Sequence, residues 1–444
     1  MTIKIINGVI TTVIGVCALA LTNTAYADLT EPYKQVCISL GSATQNTDER
    51  RNFQSICNNL VVISDADDND AVAALRHEEV AAQGTTALES SRRHVSNISA
   101  RIGIIRRAAV GGSSGDVDDN ELLESSRWGV FGNGNFNNGD RTQTVKVSGG
   151  EALGDASTEI VQGERAFDFE GKDLSVGIDY RFPGDKMIIG TALGYSRLTS
   201  DFTTEKGKTD LKGHHISVFG TYLLSEKTYF DGVISIGRSN INASRPVPVF
   251  VSDQDTVLTD GLALADTNAR QISISLGTGY EFNTGALNIT PFSRFDYNKT
   301  NIDAYTETVQ DKGGSSNRDS RGMILSVDKQ HIDSLVGTLG IKASYPISSS
   351  SGVFLPQVTV ELKRQFRNDD RFIEATLPVA TDLANVNTDP NSKTSKSDRN
   401  YARLGVGVSA VFPKGRSGYL QIESLQGSDD LSETAIKAGF RMEF

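Results

Sequence analysis

The chain contains a single tryptophan, Trp128, only three cysteines and five histidines, and no long apolar run. Nothing in it approaches the roughly 18 continuous apolar residues of a membrane-crossing helix, so helical spans are excluded. Positive charge is also in deficit. The net charge of −11 offers no broad basic face for nucleic acid. The shortage of histidine and cysteine leaves little for a metal. Asp65, Asp67 and Asn69 begin like a calcium loop, but Asp70 stands where glycine is required and Arg76 where the closing glutamate belongs. His77-Glu78 lacks the second histidine of a zinc-protease helix. No cofactor and no metal-ligand set follows from these residues. Apolar residues make up only 38% of a 444-residue chain, low for a packed soluble core, whereas glycine is abundant at 42.

The N-terminus reads as an export address. Lys4 precedes an apolar stretch from Val9 to Leu21, and Ala25-Tyr26-Ala27 is the small-x-small pattern of signal-peptidase cleavage. Residues 1–27 are therefore expected to be removed, leaving Asp28 first and, with Lys4 gone, a net charge of −12. Val16 before Cys17 argues against lipidation. Cys37 and Cys57 then remain, an even pair in an exported chain, which reads as a disulfide. They would clip residues 28–69, where helical patterns at Tyr33–Leu40 and Glu49–Leu60 flank a polar turn at Ser42–Asp48. A segment so small needs such a staple.

From Trp128 to the end the hydrophobic period is two. Ile436, Ala438, Phe440, Met442 and Phe444 share one strand face; Lys437, Gly439, Arg441 and Glu443 share the other. Leu174, Val176, Ile178, Tyr180 and Phe182 repeat this against Asp173, Ser175, Gly177, Asp179 and Arg181. Twelve strands are expected, beginning near Trp128, Lys172, Lys186, Asp210, Thr228, Thr267, Ala286, Lys329, Gly352, Arg399, Gly418 and Glu433. Connections after even strands are tight, as at Pro183–Asp185, Ser225-Glu226, Asn283–Gly285, Pro346–Ser351 and Pro413–Gly415. Those after most odd strands are long and polar: Asn138–Gly163, Ala243–Asp266, Thr300–Asp328 and Asn368–Asp398. Short turns on one rim and long loops on the other are the asymmetry of outer-membrane barrels, with the short turns periplasmic. Phe182, Phe282, Tyr345, Phe412 and Phe444 fall at the short-turn ends, as an interfacial aromatic girdle would. The fold class is thus an all-β transmembrane barrel over residues 128–444, in contact with outer-membrane lipid.

Upstream, residues 70–108 lack proline and contain Gly84 before a run rich in Ala, Ser, Glu and Arg. They read as a long helix, with an interruption possible at Gly84. Arg92, Arg93, Ser96, Ser99, Arg101, Arg106 and Arg107 make its faces small or basic, unfit for lipid but suited to a polar lumen beside Asp179, Glu281 or Asp296. The alternative is a solvated periplasmic helix. Residues 109–127 form an acidic, Gly/Ser-rich linker.

Catalytic patterns are sparse. Gly111–Gly115 has the letters of a serine-hydrolase elbow but no strand before it or helix after it. His214, His215 and Ser217 on the fourth strand leave a barrel-embedded hydrolase as a third reading, behind a non-enzymatic anchor and a plugged channel.

The stretches EVAAQGTTALESSRR from Glu79, SRWGVFGNGNF from Ser126, LSVGIDYRF from Leu174, MIIGTALGYS from Met187 and the terminal AGFRMEF together resemble the β-domain of autotransporters, the type V secretion family. That resemblance implies a monomeric twelve-stranded barrel in the outer membrane of a Gram-negative bacterium, an α-helix threaded through its pore, and export by the Sec route. It also implies that Phe440, Met442 and Phe444 act as the signal for the barrel-assembly machinery. Such a barrel would anchor and display its own N-terminal segment, here short. Asn97 stands alone in the helix, without the paired asparagines at which some members cleave.

Overall fold

The computed structural model describes residues 50–51, 53–57, 78–111, 127–147, 162–202, 207–251, 256–310, 318–367, 371–380, 392–394 and 398–444. The export segment, Cys17, Asp28 and Cys37 lie outside them. One long helix, α1 (Glu78–Gly111), precedes twelve long strands. These are β1 (Trp128–Val147), β2 (Gln162–Arg181), β3 (Met187–Phe202), β4 (Lys208–Leu223), β5 (Thr228–Val251) and β6 (Thr256–Tyr280), then β7 (Leu287–Ile302), β8 (Gln330–Ser344), β9 (Gly352–Arg367), β10 (Asn400–Phe412), β11 (Arg416–Gln426) and β12 (Leu431–Glu443). Each pairs antiparallel with its neighbour in sequence, and β12 returns to β1 from Gly129↔Glu443 to Arg141↔Leu431. The amide of Phe444 completes the seam on the Trp128 carbonyl at 3.0 Å. Closure leaves no strand edge, which is the condition for strands to sit in hydrocarbon.

Side-chain polarity along the strands is the reverse of a soluble protein's. On β2, Leu174 and Val176 are 56% and 50% exposed, while Ser175 and Asp179 are 1% exposed. β4, β5 and β6 repeat this with Ile216 and Val218, Ile234 and Ile236, and Ile272 and Leu276 outward. The girdle residues Phe182, Phe282, Tyr345, Phe412 and Phe444 are all exposed at the short-turn rim, where Tyr180 and Tyr280 pack edge-on or tilted against Phe182 and Phe282. The turns there use left-handed backbone at Gly184, Asp185, Lys414 and Gly415, conformations that reverse two strands in few residues.

Toward the opposite rim the pattern inverts. Phe167 and Phe169 point inward and are buried, while Asp168, Glu170 and Lys172 point outward. Leu198, Phe202, Leu211 and Ile241 do the same and form one cluster with Ala82, Ala87 and Leu88 of α1. The outward face changes from apolar to charged where the strand leaves lipid for water. β2 therefore begins ten residues before Lys172, and β6 eleven before Thr267. The two ends of Asn138–Gly163 and most of Ala243–Asp266, expected as loops, are the upper rungs of the β1–β2 and β5–β6 hairpins.

The described parts of the two remaining long connections carry short strands of their own. Tyr305–Thr306, Ser326–Val327 and Ala375–Thr376 make a small three-stranded sheet. Beneath it Arg245 and Glu307, both almost wholly buried, pair at 2.7 Å; Arg245 also donates to the Met323 carbonyl, and the Leu325 amide donates to Glu307. Residues 53–57 are helical, and Phe53, Ile56 and Cys57 share a core with Val80 and Ala81 of α1, with Val247 of β5, and with Met323, Leu325, Ile373 and Leu377 of these connections. The start of the helix expected at Asp70 falls outside the described residues, and α1 runs on through Gly84 without a break. The missing Cβ at Gly84 gives room to the Arg371 guanidinium and the tip of Ile332, which close over it.

Candidate functional site

Helix α1 touches β1 to β8 and β11, and reaches β12 through Lys437 and Ser96 at 2.9 Å. Its small residues set the approach. Ser91 and Ser273 hydroxyls are 2.5 Å apart, Gln271 donates to the Ala87 carbonyl at 2.8 Å, and Asn97 donates to Ser175 at 3.3 Å. His94 and His215 stack with ring centroids 4.6 Å apart, and His94 Nε2 lies 2.6 Å from the Ser217 hydroxyl. A Cβ at Gly194 would overlap the His94 ring. Gly194→Val is therefore expected to lower the unfolding free energy of the refolded protein by about 1–3 kcal/mol through overpacking. Urea titration in micelles, with the slow-migrating unfolded band on unheated gels as readout, checks it.

Three of the four arginines meet acids of the wall in layers. Arg101 Nη2 lies 3.4 Å from Asp179, whose carboxylate also holds Arg441 of β12; the Arg101 and Asp179 side chains are 1% and 0% exposed. Arg441 and Arg181 both pair with Glu443, so the last strand is tied to this layer by side chains as well as by its ladder. Arg106 donates to both oxygens of Asp231 at 2.9 and 3.0 Å, sits 3.6 Å from Glu281, and lies over the Tyr229 ring. Arg93 faces Glu433 at 3.9 Å, and Glu433 also accepts from Asn137 and Arg403. Arg92 does not follow the pattern. It pairs with Glu89 of its own helix at 2.8 Å and reaches Ser334. Of the three acids expected beside the helix arginines, Asp296 is instead the partner of Arg294, two residues away on the same strand. Arg441, Glu89, His94 and Asp231 were not singled out from the sequence. The alternation of β12 already turned Arg441 inward, but nothing local named its partner.

The His214–Ser217 group does not assemble as a hydrolase. His214 points outward against Tyr195, whereas His215 and Ser217 point inward and are engaged by His94 and Ser90 of the helix. The hydroxyl of Ser217 meets His94 rather than His215, and the second nitrogen of His94 faces Ser175, not a carboxylate. This serine–histidine pair is buried between helix and wall, with a hydroxyl rather than a carboxylate on the far side of the imidazole, which departs from the triad arrangement.

The model of the autotransporter β-domain family matches residues 145–423. Among solved structures, the translocator domain of autotransporter NalP from Neisseria meningitidis superposes with a TM-score of 0.51 at 17% identity, covering 81% of this chain and 99% of that one. The β-domain of the Bordetella autotransporter BrkA gives a TM-score of 0.43 at 17% identity over 70% and 99% of the two chains. The transport unit of AIDA-I from Escherichia coli gives 0.46 at 14% identity over 77% and 98%. No curated protein sequence matches the chain. The match of the family model across most of the strands, on a closed barrel of twelve strands with an apolar outer band, places this chain in the autotransporter β-domain family: it is an outer-membrane autotransporter barrel.

Proposed function

We propose that this barrel anchors and displays its own N-terminal segment at the cell surface, with α1 filling the pore as a plug. In this reading the short-turn rim is periplasmic, and the rim bearing the long connections faces outward. The observation that carries it is the shared core of Phe53, Ile56 and Cys57 with the long connections and with the start of α1. Phe53, Ile56 and Cys57, which precede the helix in the chain, are seated at the loop rim, opposite the Trp128–Phe444 seam. That docking makes residues 53–57 a cap on the barrel. Cys57 is disulfide-bonded, and Cys37 is the other cysteine that remains once residues 1–27 are removed, which supports the Cys37–Cys57 clip. Non-reducing mass mapping of protein from the outer membrane should find that one bridge; recovery of two free thiols would remove the clip from this account.

A plugged channel is the second reading, favoured by a cavity of about 450 Å³ beside α1. Planar-bilayer recordings separate the two. An anchor whose plug stays in place should be electrically quiet, and removal of residues 70–108 should open steady conductance. Steady conductance from the intact protein would favour the channel.

A further inference from the structure

We propose that the loop-rim end of this cavity binds a small free oxyanion, of the phosphate or carboxylate class, between Arg371 and Arg141. The cavity follows α1 from Gly84 to Ser96 and is closed on the far side by β8, β9 and β10. Deep in it the charges balance. Arg294 has Asp296 at 3.0 Å and Glu361 at 3.8 Å; Arg403 has Glu433 at 2.5 Å and Glu423 at 3.1 Å; Lys437 has Glu423 at 2.8 Å. At the loop-rim end one cation, Arg371, is left without a paired acid among the described residues. Arg92, Arg141 and Arg371 line it together, and the Glu89 carboxylate serves two of them, at 2.8 Å to Arg92 and 3.5 Å to Arg141.

Two other carboxylates border this end, and both are engaged in the turn that carries them. Asp398 accepts from the Ser428 hydroxyl at 2.8 Å and from the amides of Asp429 and Asp430 at 2.7 and 3.3 Å, while Asp430 accepts from the Asp398 amide at 3.1 Å. Burial opposes ionisation of Asp398, but those hydrogen bonds hold its carboxyl below its ordinary range. Arg371 has no carboxylate within ion-pair distance among the described residues. Its Nη2 donates to the Ala81 carbonyl at 2.9 Å and the Thr85 hydroxyl at 3.0 Å, and Nη1 has no partner. Burial, and then Arg141, push its pKa down to about 10. Two guanidiniums facing one cavity repel, and an oxyanion between them converts that repulsion into two charge-assisted contacts. The volume admits several waters at about 30 Å³ each, so a partly hydrated phosphate fits. The wall of strands favours a free ion over a lipid headgroup.

The test is equilibrium dialysis of labelled inorganic phosphate against the full chain refolded in phosphate-free detergent micelles. The wild type is compared with Arg371→Gln and with Gln365→Glu, which adds one negative charge to the same cavity. Heat-modifiable migration establishes that each is folded. Saturable binding is expected, weakened about tenfold or more by Arg371→Gln, the loss of one charge-assisted contact. Acetate should compete and phospholipid added to the micelles should not; competition by phospholipid assigns the site to headgroups. If Arg371→Gln does not fold, Gln365→Glu decides. Absence of saturable binding, or full affinity in whichever variant decides, overturns the proposal.

Discussion

Asp179→Ala is expected to destabilise the folded barrel by about 3–5 kcal/mol, the cost of leaving buried charge without its counter-ion. The carboxylate is shielded completely and holds one arginine from the helix, Arg101, and one from the closing strand, Arg441. Its loss leaves these two cations facing each other beside Phe131, over whose ring Arg101 lies at 5.0 Å. Glu443 still reaches Arg441 but is shared with Arg181. Arg101→Met made together with Asp179→Ala should recover part of the loss, because the second substitution removes one of the orphaned charges. Urea midpoints of the two single variants and the double variant give the coupling. Additive losses would mean that helix and wall are held by packing alone at this level.

The second large effect concerns assembly. Phe440, Met442 and Phe444 stand on the outer face of β12, all exposed, and the chain ends one hydrogen bond past the seam. We propose that this aromatic end is what the assembly machinery recognises. Phe444→Asp is then expected to cut the yield of heat-modifiable, outer-membrane protein several-fold while export continues, because the recognition surface is lost; the charge itself costs at most about 1 kcal/mol at the membrane boundary. Fractionation and unheated gels measure both quantities. A normal yield of heat-modifiable protein in the outer membrane would remove Phe444 from the signal. The twelve barrel pairings do not depend on its ring.

The membrane part of this fold was legible because lipid enforces a simple rule. At Leu174–Phe182 every outward residue is apolar, and at Ile436–Phe444 the same alternation runs to the last residue. Ten of the twelve expected strand starts coincide with those observed or fall within two residues of them for that reason, and only Lys172 and Thr267 fall well inside their strands. The rule ends where lipid ends. In Phe167–Lys172 the alternation persists with its sign reversed, apolar inside and charged outside, so the sequence alone gave no continuous apolar face to follow. The same inversion at Ile241, Ala263 and Ala265 concealed the upper half of the β5–β6 hairpin. Charge type was readable, as the basic faces of residues 92–106 were, but pairing was not. Asp179 and Glu281 meet helix arginines, whereas Asp296 meets Arg294 on its own strand, a choice made by a two-residue spacing on one face that sequence places equally near several cations. Arg371 was invisible for another reason: it reaches α1 from a connection 290 residues away along the chain, to the Ala81 carbonyl.

The central claim is that the segment before α1 sits on the outside of the cell, over a barrel filled by that helix. An epitope inserted in the polar turn at Ser42–Asp48 and probed with antibody on intact cells tests it most directly, with a second epitope in the Pro183–Asp185 turn as the internal reference. The account predicts that the first epitope is bound on intact cells and the second only after the outer membrane is permeabilised. Binding of the Pro183–Asp185 epitope on intact cells, with the Ser42–Asp48 epitope silent until permeabilisation, would contradict it.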